Sequence, residues 1–223
     1  MRQWLQSAVS VFQKELTQEY RTRFALNSAL AFVIASLFVV FFTVKIDQVP
    51  PTSRAGLVWI IILFAALSSL SRSFVQETDR HTFDVLRLNV PASTTYVGKL
   101  LFNFFFTLLV AGISVLGFIF LADLAVAHIG ILFLAVGIGS LGMSAMSTLL
   151  AAIIAQADHR GAVFPVMTMP LLIPLLLLVT RLTKSALVDG RFDGILNELT
   201  ALIAFCGVAI SLAVILIDFI WED

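Results

Sequence analysis

Charge is scarce in this sequence: Lys, Arg, Asp and Glu make up 13% of 223 residues, and the fourteen cations cancel the fourteen acids. A soluble domain carries about 25% charged residues. With 60% apolar residues, the chain has too little polar surface to coat a water-soluble globule. The balanced charge leaves no basic footprint of the kind broad nucleic-acid binding requires. A single cysteine, Cys206, excludes a disulfide framework and any multi-cysteine metal or cluster site. The phosphate-cradling GxxxxGK[ST], the zinc-binding H-E-x-x-H and the nucleophilic G-x-S-x-G are all missing, as is the haem-attaching C-x-x-C-H. His81, His128 and His159 fall in three separate loops on two membrane sides, so they do not form one metal site. Alone, the chain is not an enzyme.

What the sequence does hold is long apolar runs, with twenty phenylalanines. A spanning helix needs about 20 mostly apolar residues, at 1.5 Å each across a core of about 30 Å. Six runs qualify, at approximately 26–44, 55–71, 100–122, 129–155, 162–180 and 199–220. None alternates with a period of two, which excludes a β-barrel. The first run starts late, is long and lacks a small-residue cleavage site, so it reads as a span and not as a cleavable signal. The expected fold is an all-α integral membrane protein, a single transmembrane domain over 1–223.

Orientation follows from the loop cations. Nine of them (Arg2, Lys14, Arg21, Arg23, Arg72, Arg80, Arg87, Lys99 and Arg160) lie on one side, against five (Lys45, Arg54, Arg181, Lys184 and Arg191) on the other. The bias places both termini in the cytoplasm. Trp4, Trp59, Trp221, Tyr20 and Tyr96 fall near predicted boundaries and read as interfacial anchors.

Two segments outside the spans show helical order. Within 1–25, residues 4–20 gather Trp4, Leu5, Ala8, Val9, Phe12, Leu16 and Tyr20 on one face, the pattern of a helix lying in the membrane interface. Glu15 and Glu19 interrupt the apolar edge; they either snorkel outward or meet a partner group. The second segment is the loop 72–99. A helix over 74–88 aligns Phe74, Val75 and Leu86 on one face and Glu77, Arg80, Asp84 and Arg87 on a stripe opposite, at ion-pair spacings. Pro91 ends it. Such a stripe is a solvated face, or one side of a helix that docks into a partner's groove.

No Asp, Glu, Lys, Arg or His falls in the interior of any of the six runs, and Asp218 lies at the cytoplasmic end of the sixth. A charge at the bilayer centre costs about 2.5–3.5 kcal/mol on insertion scales, and carriers that couple to an ion keep such groups because they work there. Their absence argues against a self-powered transporter. The fourth run is rich in small residues (Ala135, Gly137, Gly139, Ser140, Gly142, Ser144, Ala145, Ser147), which suits close helix packing. Pro165, Pro170 and Pro174 kink the fifth, as a hinge or as a bent packing element.

Three stretches carry a family resemblance: FQKELTQEYRTRFALNS (12–28), RSFVQETDRHTFDVLRLNVPASTTYVGKLLFN (72–103) and DHRGAVFPVMTMPLLIPLLL (158–177). They resemble the cytochrome c maturation protein B family, also called haem exporter protein B, over essentially the whole chain. The resemblance implies a six-span permease of the ABC-2 exporter type, with an amino-terminal interfacial helix and a cytoplasmic coupling helix, in the bacterial inner membrane. It implies a separate cytoplasmic ABC ATPase (haem exporter A), a haem-handling membrane protein (haem exporter C), a periplasmic haem chaperone and a second copy of the chain as partners. No cofactor is expected on this subunit itself, the complex handling haem and the partner ATP. By that analogy Phe74, Glu77, Arg80, Phe83, Asp84, Leu86 and Arg87 contact the ATPase. The competing readings are a permease of like architecture for a lipid, polysaccharide or drug, and a membrane scaffold for haem proteins that moves nothing.

Overall fold

Long helices follow from long runs that contain no uncompensated helix breaker, and each ends where charge, proline or glycine collects. The computed structural model describes residues 2–70, 90–121, 126–155, 160–188 and 194–222. Among these, seven α-helices succeed one another: α1 (Arg2–Thr22), α2 (Phe24–Thr43), α3 (Pro51–Leu70), α4 (Ala92–Leu121), α5 (Ile129–Ile154), α6 (Arg160–Leu187) and α7 (Ile195–Glu222), with one 3-10 turn (Ile46–Gln48) before α3. No strand occurs among the described residues. Six of the helices, α2 to α7, are long and apolar enough to cross a membrane.

Local chemistry sets the joints. Proline at the first position of α3 fits because its missing N–H would have had no helical partner there, and the amides of Ser53 and Arg54 both reach back to the Pro50 carbonyl. The Arg54 side chain fastens the same corner through Nε to the Val49 carbonyl at 2.8 Å. On that side of the bundle the backbone amides of Ala127 and His128 both donate to the Ala186 carbonyl at 3.0 Å. This ties the approach to α5 to the end of α6 and leaves His128 half-buried at the base of α5.

The core sits around α5, which packs against α4, α6, α7 and α3. Its small residues explain that centrality. A Cβ on Gly142 would lie 2.7 Å from a Leu175 methyl and 3.0 Å from Cys206 Sγ, and one on Gly139 would meet the Trp59 indole. Glycine therefore lets α6, α7 and α3 approach the α5 backbone, the arrangement expected where dispersion and not water exclusion holds helices together. By contrast α2 buries only Ala29, Val33 and Leu37, one residue per turn, and leaves Phe32, Phe38 and Phe42 outward.

Two of the expected aromatic anchors are instead core residues. Trp59 is 1% exposed and Tyr96 is fully buried, because each polar tip finds a partner inside the protein. Trp59 Nε1 donates to Thr183 Oγ1 at 2.8 Å, and the Tyr96 hydroxyl donates to the Ala145 carbonyl at 3.2 Å. Trp4 and Tyr20 remain exposed. A double-mutant cycle of Trp59→Phe with Thr183→Val should give a coupling of about 0.6 kcal/mol, the mean for side-chain hydrogen bonds between membrane helices. Denaturation in mixed micelles measures it, and a coupling of zero would show that the bond carries no stability.

The third span begins at Ala92 and not near Leu100. Hydropathy alone stops at Lys99, whereas the helix runs through it because that charge is neutralised within the fold.

Candidate functional site at the junction of the first helix with α4

The junction is built on a short stripe of α1. Ala8, Val11 and Glu15 are buried, at 2%, 4% and 7% exposure, and share one face at the helical spacings i, i+3 and i+7. Most of the broad apolar face read from the sequence points elsewhere: Trp4, Leu5, Val9, Leu16 and Tyr20 are exposed. One edge of α1 serves the protein and the remainder is left for an apolar surrounding, a division that hydrophobicity by itself does not reveal.

Opposite that stripe lies the amino-terminal part of α4. Gly98 brings the two backbones together: a Cβ there would be 2.6 Å from Val11 Cβ and 2.8 Å from the Ala8 carbonyl oxygen. The next residue, Lys99, is completely enclosed and donates from Nζ to Glu15 Oε1 at 2.6 Å. Lys14 approaches the same oxygen at 3.9 Å from a more exposed position. One turn on, Phe12 meets Phe105 edge-to-face with ring centroids 6.0 Å apart. An ion pair in an apolar setting requires close geometry to offset the desolvation of both ions, and the 2.6 Å contact supplies it.

The polar seam continues from Lys99 into the bundle. Asn103 Nδ2 donates to Thr148 Oγ1 at 2.8 Å, and that hydroxyl donates in turn to the Ser144 carbonyl at 2.6 Å. Lys99, Asn103 and Thr107 are four residues apart and all buried. α4 thus joins α1 on one side and the central α5 on the other.

Glu19 also turns inward. Its Oε1 accepts the Leu26 amide at 2.8 Å, so it satisfies one of the donors that a helix start leaves open. Between α1 and α2 stands a single residue, Arg23, in the left-handed conformation at φ 50° and ψ 16°. Its guanidinium lies 5.3 Å from the Tyr20 ring centre. Of the two sequence readings for these carboxylates, the structure shows Glu15 and Glu19 engaged with protein groups and not snorkelling.

The remaining residues singled out in the sequence lie elsewhere. Phe74, Glu77, Arg80, Phe83, Asp84, Leu86 and Arg87 belong to 71–89, outside the described residues. Pro165, Pro170 and Pro174 sit within one continuous helix, α6, with Pro170 and Pro174 exposed. That helix packs on α5, α3 and α7. The sequence reading missed Lys99, which it assigned to the loop, and the close approach at Gly98. A small residue beside a basic one just before an apolar run, with an acid on the apolar edge of another amphipathic helix, is the signal that pairs them.

The junction is held by one ion pair, one close backbone approach and one aromatic contact. Among the described residues no group of three His, Cys, Asp or Glu side chains could hold a metal ion. No curated protein matches the chain significantly. The model of the CcmB protein family does, over residues 6–216. That match includes both partners of the α1–α4 ion pair, five of the six apolar helices in full and most of the sixth. The chain therefore belongs to the CcmB family, the haem exporter membrane subunits of cytochrome c maturation, and is a multi-pass membrane permease subunit.

Proposed function

We propose that this chain is the membrane permease half of an ATP-driven complex in the bacterial inner membrane, with both termini cytoplasmic. The carrying observation is the family match along nearly the whole chain. A cytoplasmic ABC ATPase, haem exporter A, supplies the energy; haem exporter C and a periplasmic haem chaperone complete the path. A second copy of the chain frames the other half. ATP is bound by the partner and haem by the complex, with no cofactor resident on this subunit.

The joint described above supports a route for the motion. Residues 71–91 stand between α3 and α4 in the sequence, and the α1 anchor at Lys99 lies seven residues into α4, from Ala92. Displacement of a coupling segment at 74–88 by the ATPase would act on α3 and α4 directly, and on α1 through the Glu15–Lys99 pair. Of the two uses of ATP in such a complex, haem export and release of the haem-loaded chaperone, the second accords better with spans that carry no histidine.

Glu77→Lys or Phe83→Asp should uncouple ATP hydrolysis from cytochrome c assembly, with the subunit still inserted. Assembly measured by haem-stained cytochrome, alongside co-purification of the ATPase, checks this; full assembly with an unchanged ATPase yield would overturn the coupling assignment. The wider reading is tested on the intact complex from membranes. ATP should lower the amount of haem-loaded chaperone retained, and a hydrolysis-dead ATPase should abolish maturation. Normal maturation with the dead ATPase would leave a scaffold instead.

A further inference from the structure

Beside the ion pair, α1, the start of α2 and the middle of α4 enclose a groove of ≈ 530 Å³. That lies within the range of ligand clefts, about 300–1,000 Å³. Its floor and one wall are Phe102, Phe105, Phe106 and Leu109 of α4, with Leu16 and Leu26 opposite. At the mouth stand Tyr20, Arg23 and Asn27, and all three are exposed.

The exposed charge at this mouth is Arg23, with Glu19 more covered behind it. The Arg23 guanidinium rests by the Tyr20 ring, and no carboxylate pairs with it among the described residues. Glu19, the acid that also lines the groove, already accepts the Leu26 amide. The left-handed backbone at Arg23 fixes where this side chain leaves the chain, so the cation is positioned at the groove's opening and not on a mobile loop.

An apolar channel with one cation at its lip suits an amphipathic anion. The location selects which. α1 keeps Leu5, Val9 and Leu16 exposed, the pattern of a helix whose apolar face lies at the headgroup and acyl boundary, so the groove opens where phospholipid is the abundant neighbour. We propose that it binds one anionic phospholipid, with the phosphate on Arg23 and an acyl chain along Phe102, Phe105 and Leu109. Guanidinium suits phosphate because its planar fork offers parallel donors. The phenylalanine wall supplies apolar area without polar groups to desolvate.

The test uses the full chain, delipidated in detergent and titrated with dioleoyl phosphatidylglycerol or dioleoyl phosphatidylcholine, with bound lipid counted by native mass spectrometry. Wild type should retain one phosphatidylglycerol with about fivefold preference over phosphatidylcholine, the effect of one basic residue near an anionic lipid. Arg23→Gln should bring that preference to about one, and Arg23→Lys should keep most of it. Leu109→Trp, which fills the groove, should lower retention of both lipids while the unfolding midpoint stays unchanged. Equal binding of the two lipids by wild type would overturn the proposal, as would an undiminished preference in Arg23→Gln. Should Leu109→Trp fail to fold, the two Arg23 variants decide alone.

Discussion

Glu15→Leu should destabilise the protein by about 3–5 kcal/mol, the usual cost of removing one partner of a buried ion pair. Lys99 is fully enclosed, so loss of the carboxylate takes away the 2.6 Å acceptor of an ammonium that water cannot reach. The reverse change is milder. In Lys99→Met the carboxylate keeps Lys14 within 3.9 Å and retains a small exposed edge, and the expected loss is about 1–3 kcal/mol. Combining Glu15→Leu with Lys99→Met removes both charges and should restore stability to within about 1 kcal/mol of wild type, because apolar side chains of similar volume replace buried pairs at little cost. Unfolding of the three variants in mixed micelles gives the cycle. Additive losses in the double variant would mean that the two groups do not act as a pair.

The second large effect is expected at Gly98. Here the obstacle to any side chain is backbone as well as side chain: the Ala8 carbonyl oxygen would lie 2.8 Å from the added carbon, and Val11 closer still. A flexible tip can swing aside, but a helix backbone moves only as a whole. Gly98→Leu should therefore lever α1 away from α4 at a cost of about 1–3 kcal/mol, the range for overpacking a filled site. Hydrogen exchange reads this selectively. Amide protection should fall along α1 while α5, at the centre of the bundle, keeps its own; unchanged protection in α1 would show that the crossing has slack. Adding Val11→Gly should recover only part of the loss, since the Ala8 carbonyl remains.

The six apolar runs were legible in the sequence because each comes close to or exceeds the length a bilayer needs and is nearly free of charge, and that signal is local. So is the amphipathic order of α1. What escaped was pairing between distant segments. Lys99 looked like the end of a loop because a hydropathy window stops at any cation, and its counter-ion lies 84 residues earlier in another helix. The same limit applies to Trp59 and Tyr96, which resembled boundary anchors until Thr183 and the Ala145 carbonyl were seen to satisfy them. Periodicity also misplaced the packing edge of α1: a moment averages over a face, whereas the contact is one narrow stripe ending in an acid. The site is in this sense a property of two helices, and no stretch of residues contains it.

That separation along the chain has a consequence for biogenesis. When α1 and α2 leave the ribosome, neither Gly98 nor Lys99 has been synthesised, so α1 has nothing to seat against and waits with Glu15 in contact with water. Only after the translocon has released α4 can the carboxylate trade hydration for the ammonium. Docking of α1 is thus a late, post-insertion step, and a nascent polypeptide arrested before α4 would present quality-control proteases with an unseated amino-terminal helix.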